Sequence, residues 1–80
     1  LWPEPSIDLD LSELDPPEPM VRLLAEAERL DAGEVIFAVL SREPVFLFPE
    51  LTSRGHQWVG NFDATGNLYR IMIRIGSRAE

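Results

Sequence analysis

Apolar residues along this chain fall into runs whose period changes from two, to three or four, and back to two. Ile7, Leu9 and Leu11 alternate strictly with Asp8 and Asp10, the period of a strand that buries one face. Asp15-Pro16-Pro17-Glu18-Pro19-Met20 ends that extended stretch and opens the longest helical pattern. Proline is tolerated in the first turn of a helix, where its missing N–H would have no partner anyway, so Pro17 and Pro19 mark a helix start. Asp15 is placed to cap that helix, and Glu18 suits the positive end of its dipole. Met20, Leu23, Leu24, Ala27 and Leu30 then recur at three and four residues as one stripe facing a core, with Arg22, Glu26 and Arg29 on the wet side. Gly33 suits the left-handed turn that ends the helix.

Val35 to Leu40 is an unbroken apolar run rich in β-branched and aromatic residues, which predicts a central strand. A loop at Ser41-Arg42-Glu43-Pro44 follows. A second, shorter helix is predicted from about Pro44 to Arg54, closed by Gly55. Pro49 requires that helix either to kink or to start only near Phe48. Gln57 to Phe62 and Leu68 to Ile75 read as a hairpin around Asp63-Ala64-Thr65-Gly66-Asn67, where Gly and Asn make positive φ cheap. Tyr69, Ile71, Ile73 and Ile75 form the core side of the last strand; Arg70 and Arg74 fall on the exposed side, expected opposite acidic strand residues.

The element order β-α-β-α-β-β, with a right-handed first crossover, predicts an α+β fold. It is a two-layer α/β sandwich in which a mixed four-stranded sheet carries two helices on one face. Residues 1–5, with two prolines, form an N-terminal tail; 6–76 form a single domain; 77–80 form a C-terminal tail. Trp2 in the first tail is either a docking aromatic or a cover for the sheet edge.

Eighty residues suffice for one domain, and a chain of this size buries only about 60% of its unfolded surface. It contains no Cys, so disulfides, thiolate metal sites and nucleophilic or persulfide-carrying thiols are excluded together. Seven basic against fourteen acidic residues give a net charge of -7, which repels phosphate backbones and anionic lipid, so no nucleic-acid or membrane partner is expected. No apolar run approaches the roughly 20 residues of a membrane span, and no signal-peptide pattern opens the chain. A cytoplasmic location is the expectation. A start at Leu1 rather than Met suggests an excised domain.

Asp8 and Asp10 read as solvated strand carboxylates, because two like charges on one strand lack the further ligands a hard cation needs. His56 is the single histidine. It could ligate haem iron or act as a base, but no neighbouring spacing supplies further ligands or an activated nucleophile. It reads as a surface or sheet-edge residue. Trp58 reads as core or a flanking aromatic, and Phe46-Leu47-Phe48 as core packing, with a contact patch as the alternative. The proline turn either only fixes the strand-to-helix geometry or offers a rigid exposed platform. Arg42-Glu43 lies after the central strand, where ligands of α/β sheets tend to bind, and is expected to approach the proline turn only through the next loop.

Leu9-Asp10-Leu11, Leu14, Pro17-Glu18-Pro19, Gly33-Glu34 before a strand, the Glu43-Pro44 loop and the terminal hairpin together resemble the TusA/SirA-like sulfur-carrier fold across most of the chain. That family opens its first helix with Cys-Pro-x-Pro and carries a persulfide on the Cys. The matching position here is Pro16, which cannot ionise or hold sulfur, so sulfur-carrier activity is rejected. Pro16-Pro17-Glu18-Pro19-Met20, Arg42-Glu43-Pro44, Leu51, Arg54-Gly55 and Trp58 resemble more closely an uncharacterised bacterial family of that fold, domain of unknown function 2249. The resemblance implies a domain that occurs alone or within a larger multidomain chain beside haemerythrin-like or other redox-associated domains. The expectation is a non-enzymatic accessory or binding module with no catalytic residue, metal or cofactor. It would recognise a protein partner or small ligand through Pro16, Pro17, Glu18, Arg22, Arg42 and Glu43. The alternative is a small redox- or haem-associated domain with His56 or Met20 as an axial ligand.

Overall fold

The computed structural model describes residues 4–15 and 17–76. Alternation builds β1 (Ile7–Asp10), in which Leu9 is buried and Asp8 and Asp10 are exposed. Leu11 is buried just beyond it and donates its N–H to the Val39 carbonyl at 2.8 Å. The helical stripe builds α1 (Glu18–Arg29), with Leu23 and Ala27 buried and Met20, Leu24 and Leu30 packed against the core. Glu26 is less wet than its periodicity implies. Its carboxylate is drawn in between Arg29 at 2.9 Å and Arg22 at 3.7 Å, and its side chain is only 12% exposed.

The helix start corrects one expectation. Asp15 does not cap through its side chain; its carbonyl accepts the Glu18 N–H at 2.9 Å, and Pro17 is the N-cap residue without a side-chain cap. Pro19, in the first turn, has no N–H for a carboxylate to accept, so a backbone turn closes the end instead.

β2 (Val35–Leu40) is an inner strand of a sheet ordered β1-β2-β4-β3, where β3 is Gln57–Phe62 and β4 is Tyr69–Arg74. β1 and β2 are parallel, while β2–β4 and β3–β4 are antiparallel. α2 (Leu47–Ser53) starts one residue before Phe48, and this short form settles the Pro49 question. Pro49 occupies its first turn, where no i−4 carbonyl awaits an N–H. Gly55 closes the helix at φ 82°, its N–H donating to the Thr52 carbonyl at 3.1 Å.

Both helices cover one sheet face. Leu23, Ala27, Leu47 and Leu51 join Leu9, Leu11, Ile36, Ala38, Leu40, Tyr69, Ile71, Ile73 and Ile75 in one core cluster. Arg54 ties the layer's surface together by pairing with Glu28 on α1 and Glu50 on α2. On the opposite face the structure corrects a second expectation. Arg70 registers with Val39 and Asn61, and Arg74 with Val35 and Gln57, so neither faces an acidic strand residue. Asp8 and Asp10 lie on β1, which the sheet order separates from β4 by β2.

Candidate functional site

Parallel pairing of β1 and β2 sends the segments that follow both strands out at the same end of the sheet, the end where open α/β sheets place their ligand sites. One segment brings Leu14 and then Pro17 to Met20 into α1, and the other is the Ser41 to Leu47 passage into α2. They surround a cavity of about 310 Å³ lined by Leu14, Pro17, Pro19 and Met20 on one side and by Leu40 to Leu47 on the other. Its floor is core: Leu40 and Leu47 are essentially inaccessible. Its rim is open and apolar, with Phe46 80% exposed and Val45 53% exposed.

The expected site residues separate into groups. Pro17, Arg42 and Glu43 line this one cavity, together with Pro44, Val45 and Phe46 of the loop that follows. Glu18 and Arg22 are exposed on α1 outside the lining, and the Arg22 guanidinium is directed to Glu26. Pro16 lies outside the described residues, as does Trp2. The lining adds Leu14 and Val45, which the sequence reading did not single out as site residues, and Phe46, which it weighed only as part of an alternative contact patch. A signal for Phe46 was present: Leu47 and Leu51 stand four apart and take the inward face of α2, leaving Phe46 off that face. Of the apolar trio, Leu47 is buried and Phe48 half-buried as expected, whereas Phe46 is a surface residue.

Among the described residues of the lining, Arg42 is the one cation, Glu43 the one carboxylate and Ser41 the one hydroxyl side chain. Behind the loop stands Tyr69, paired with Leu40 in the sheet. Burial pushes the Tyr69 phenol above its ordinary pKa, and the nearby Glu43 carboxylate pushes it further the same way. The ring meets Phe62 edge-on at 5.1 Å. An apolar chamber with one guanidinium at its rim can hold an apolar group and pair with an adjacent anionic one.

The other residues singled out from the sequence lie elsewhere. His56 is half-buried, and its Nδ1 accepts the Gly76 N–H at 3.0 Å. It is not in the cavity lining that Met20 joins. Trp58 stacks on Phe48 with ring centroids 5.2 Å apart and packs against the core, which fits the flanking-aromatic expectation. Asp10 accepts hydrogen bonds from the Ser12 hydroxyl and N–H at 2.7 and 3.1 Å, which hold its carboxyl below the usual range. Among the described residues no cluster of three His, Cys, Asp or Glu side chains is placed to hold a metal ion. Among them, too, no helix is long and apolar enough to cross a membrane.

Residues 8–75 match a family described as "Uncharacterized conserved protein (DUF2249)". The match takes in both strands that deliver the cavity loops, both helices and the hairpin. Neither a curated protein nor a solved structure matches the chain.

Proposed function

We propose, from the premise that the chain belongs to the DUF2249 family, that it is a non-enzymatic binding module whose site is the cavity between the proline turn and the Arg42 loop. The occupant is a small apolar ligand or an apolar side chain of a protein partner, with an anionic group set against Arg42. One observation carries this reading: an open apolar cavity of about 310 Å³ is rimmed by Phe46, a large apolar side chain that is 80% exposed. That volume sits at the small end of ligand sites, roughly 300–1,000 Å³, and an exposed apolar rim on a charged surface is a contact feature. Rigid prolines on one wall reduce the ordering that binding requires.

The resemblance to the TusA/SirA-like fold supports the architecture of the reading but lends it no chemistry. With no cysteine in the chain, a persulfide has no residue to sit on. A fluorescence titration with anilinonaphthalene sulfonate, whose apolar rings carry one anionic group, tests the site. The native protein is expected to bind it, Phe46→Ser and Arg42→Ala to weaken binding, and Arg22→Ala, outside the lining, to leave it unchanged. Equal binding by all four proteins, or none by the native one, would remove the cavity from the account.

A further inference from the structure

The face of the sheet turned away from the helices carries its own pattern, separate from the cavity. Alternation opposite to the core residues puts Asp8 and Asp10 of β1, Val35, Phe37 and Val39 of β2, and Arg70 and Arg74 of β4 on that face; Val35, beside Arg74, is fully buried, so the accessible part of β2 is Phe37 and Val39. Met72 lies between the arginines, and Val59 beyond it on β3 is 53% exposed. The face is therefore acidic along one edge, apolar along β2, and basic along β4. Among the described residues neither Arg70 nor Arg74 forms an ion pair, although the chain as a whole carries a net charge of -7.

This distribution is complementary to itself. β1 and β4 flank β2 on either side, each about 4.8 Å away at normal strand spacing. Let a two-fold axis run along β2, midway between two such faces. It lays β2 of one copy over β2 of the other and β1 of each over β4 of the other. Positions along the strands are preserved by that rotation, so residues of one sheet row face each other. Asp10, Val39 and Arg70 form one row, and Asp8, Phe37 and Met72 the next. Sheets packed face to face stand about 10 Å apart, a gap that an extended Arg and an Asp span together.

We propose that a second copy of this chain docks on the open face, with Asp10 of each protomer opposite Arg70 of the other and Phe37 and Val39 packed about the axis. The interface is isologous, so each contact occurs twice. Asp10 keeps one carboxylate oxygen for this pairing, since both of its hydrogen bonds from Ser12 go to Oδ1. The size of the face sets the strength. The axis along β2 overlaps β1, β2 and β4 of the two copies and leaves β3 outside, so with six-residue inner strands the contact projects about 300 Å² at normal spacings, below the roughly 800 Å² per partner of a standard interface. The dimer is weak, with a dissociation constant in the micromolar range or above.

Sedimentation velocity from about 10 μM to about 1 mM protein spans that range. The native chain is expected to pass from monomer to dimer. Asp10→Arg and Arg70→Asp, each of which sets like charges against one another at both pairs, are each expected to raise the dissociation constant by about tenfold or more. Mixed in equal amounts, the two variants are expected to regain the dimer. In the mixed pair the two introduced side chains face each other with opposite charge, and the unaltered Asp10 and Arg70 form the native contact at the other position. Circular dichroism on each variant reports folding separately. A native chain that stays monomeric up to the highest concentration overturns the proposal and leaves the face to another occupant. A dimer that survives both charge reversals, or two folded variants that fail to pair on mixing, overturns the arrangement.

Discussion

Gly60 on β3 offers a test in which local propensity and packing predict opposite signs. Glycine in a strand interior is worse than alanine by roughly 0.5–1 kcal/mol, so Gly60→Ala should stabilise if only the strand mattered. The structure says otherwise, because the Tyr69 ring lies across Gly60, and a Cβ there would sit 2.7 Å from both Cε2 and Cζ of that ring, with the hydroxyl closer still. Ordinary carbon contacts lie at about 3.5–4.0 Å, so the ring would have to move by about 1 Å. It has little room: Tyr69 is 5% exposed and meets Phe62 edge-on. Overpacking of this kind costs about 1–3 kcal/mol, which outweighs the propensity gain. The expected net loss of about 1–2 kcal/mol corresponds to a fall in Tm of about 4–16 °C for a domain of this size. Thermal and urea unfolding of Gly60→Ala would measure it, and Tyr69→Leu, which deletes the contacting atoms, provides the second arm. In that background Gly60→Ala should become neutral or stabilising, a departure from additivity expected of residues in contact. A stabilised Gly60→Ala in the native background, or the same loss with and without Tyr69, would refute the packing account.

Other consequences are more local. Gly33 adopts φ 92° with open space where a Cβ would project, so Gly33→Ala should lose about 1–2 kcal/mol from backbone strain alone and Gly33→Asn less, by urea unfolding. Asp63 Oδ1 accepts from the Thr65 hydroxyl and from the N–H groups of Asn67 and Leu68, an arrangement that lowers its pKa. A depressed folded value contributes stability above the ordinary carboxylate range and loses it as pH falls through the folded value. The Tm difference between the native protein and Asp63→Asn should therefore be present at neutral pH and shrink on acidification; a difference independent of pH would contradict this role. Arg54 pairs with Glu28 and Glu50 at the surface, its side chain 36% exposed, so Arg54→Ala should lose under about 1 kcal/mol, and high salt should reduce that loss.

Periodicity made most of the fold legible because each strand keeps one face in the core and one outside. Ile7, Leu9 and Leu11, and later Tyr69, Ile71, Ile73 and Ile75, announced their own faces, and Leu23 and Ala27 announced the stripe of α1. Gly33 and Gly55 likewise stand at positive φ where helices stop. What stayed hidden depends on elements distant in sequence. Asp15 has the right chemistry for a cap, but Pro19 removes a donor that it would serve. Arg70 and Arg74 lack acidic neighbours because β2 is interposed between them and β1, a fact of strand order rather than of either segment. The union of the proline turn with the Arg42 loop follows from the parallel β1–β2 pair, and Phe46 emerges from an apolar run whose neighbour Leu47 is buried.

The central claim is that this chain binds through the cavity between the proline turn and the Arg42 loop. The most direct measurement is a nitrogen–proton amide shift map of the isotopically labelled native protein during titration with anilinonaphthalene sulfonate. The account predicts saturable shifts concentrated at Leu14, Met20 and the Ser41 to Leu47 segment, with little change across Gln57 to Phe62. Shifts spread over the open sheet face, or absent around Arg42 and Phe46 at saturation, would contradict it.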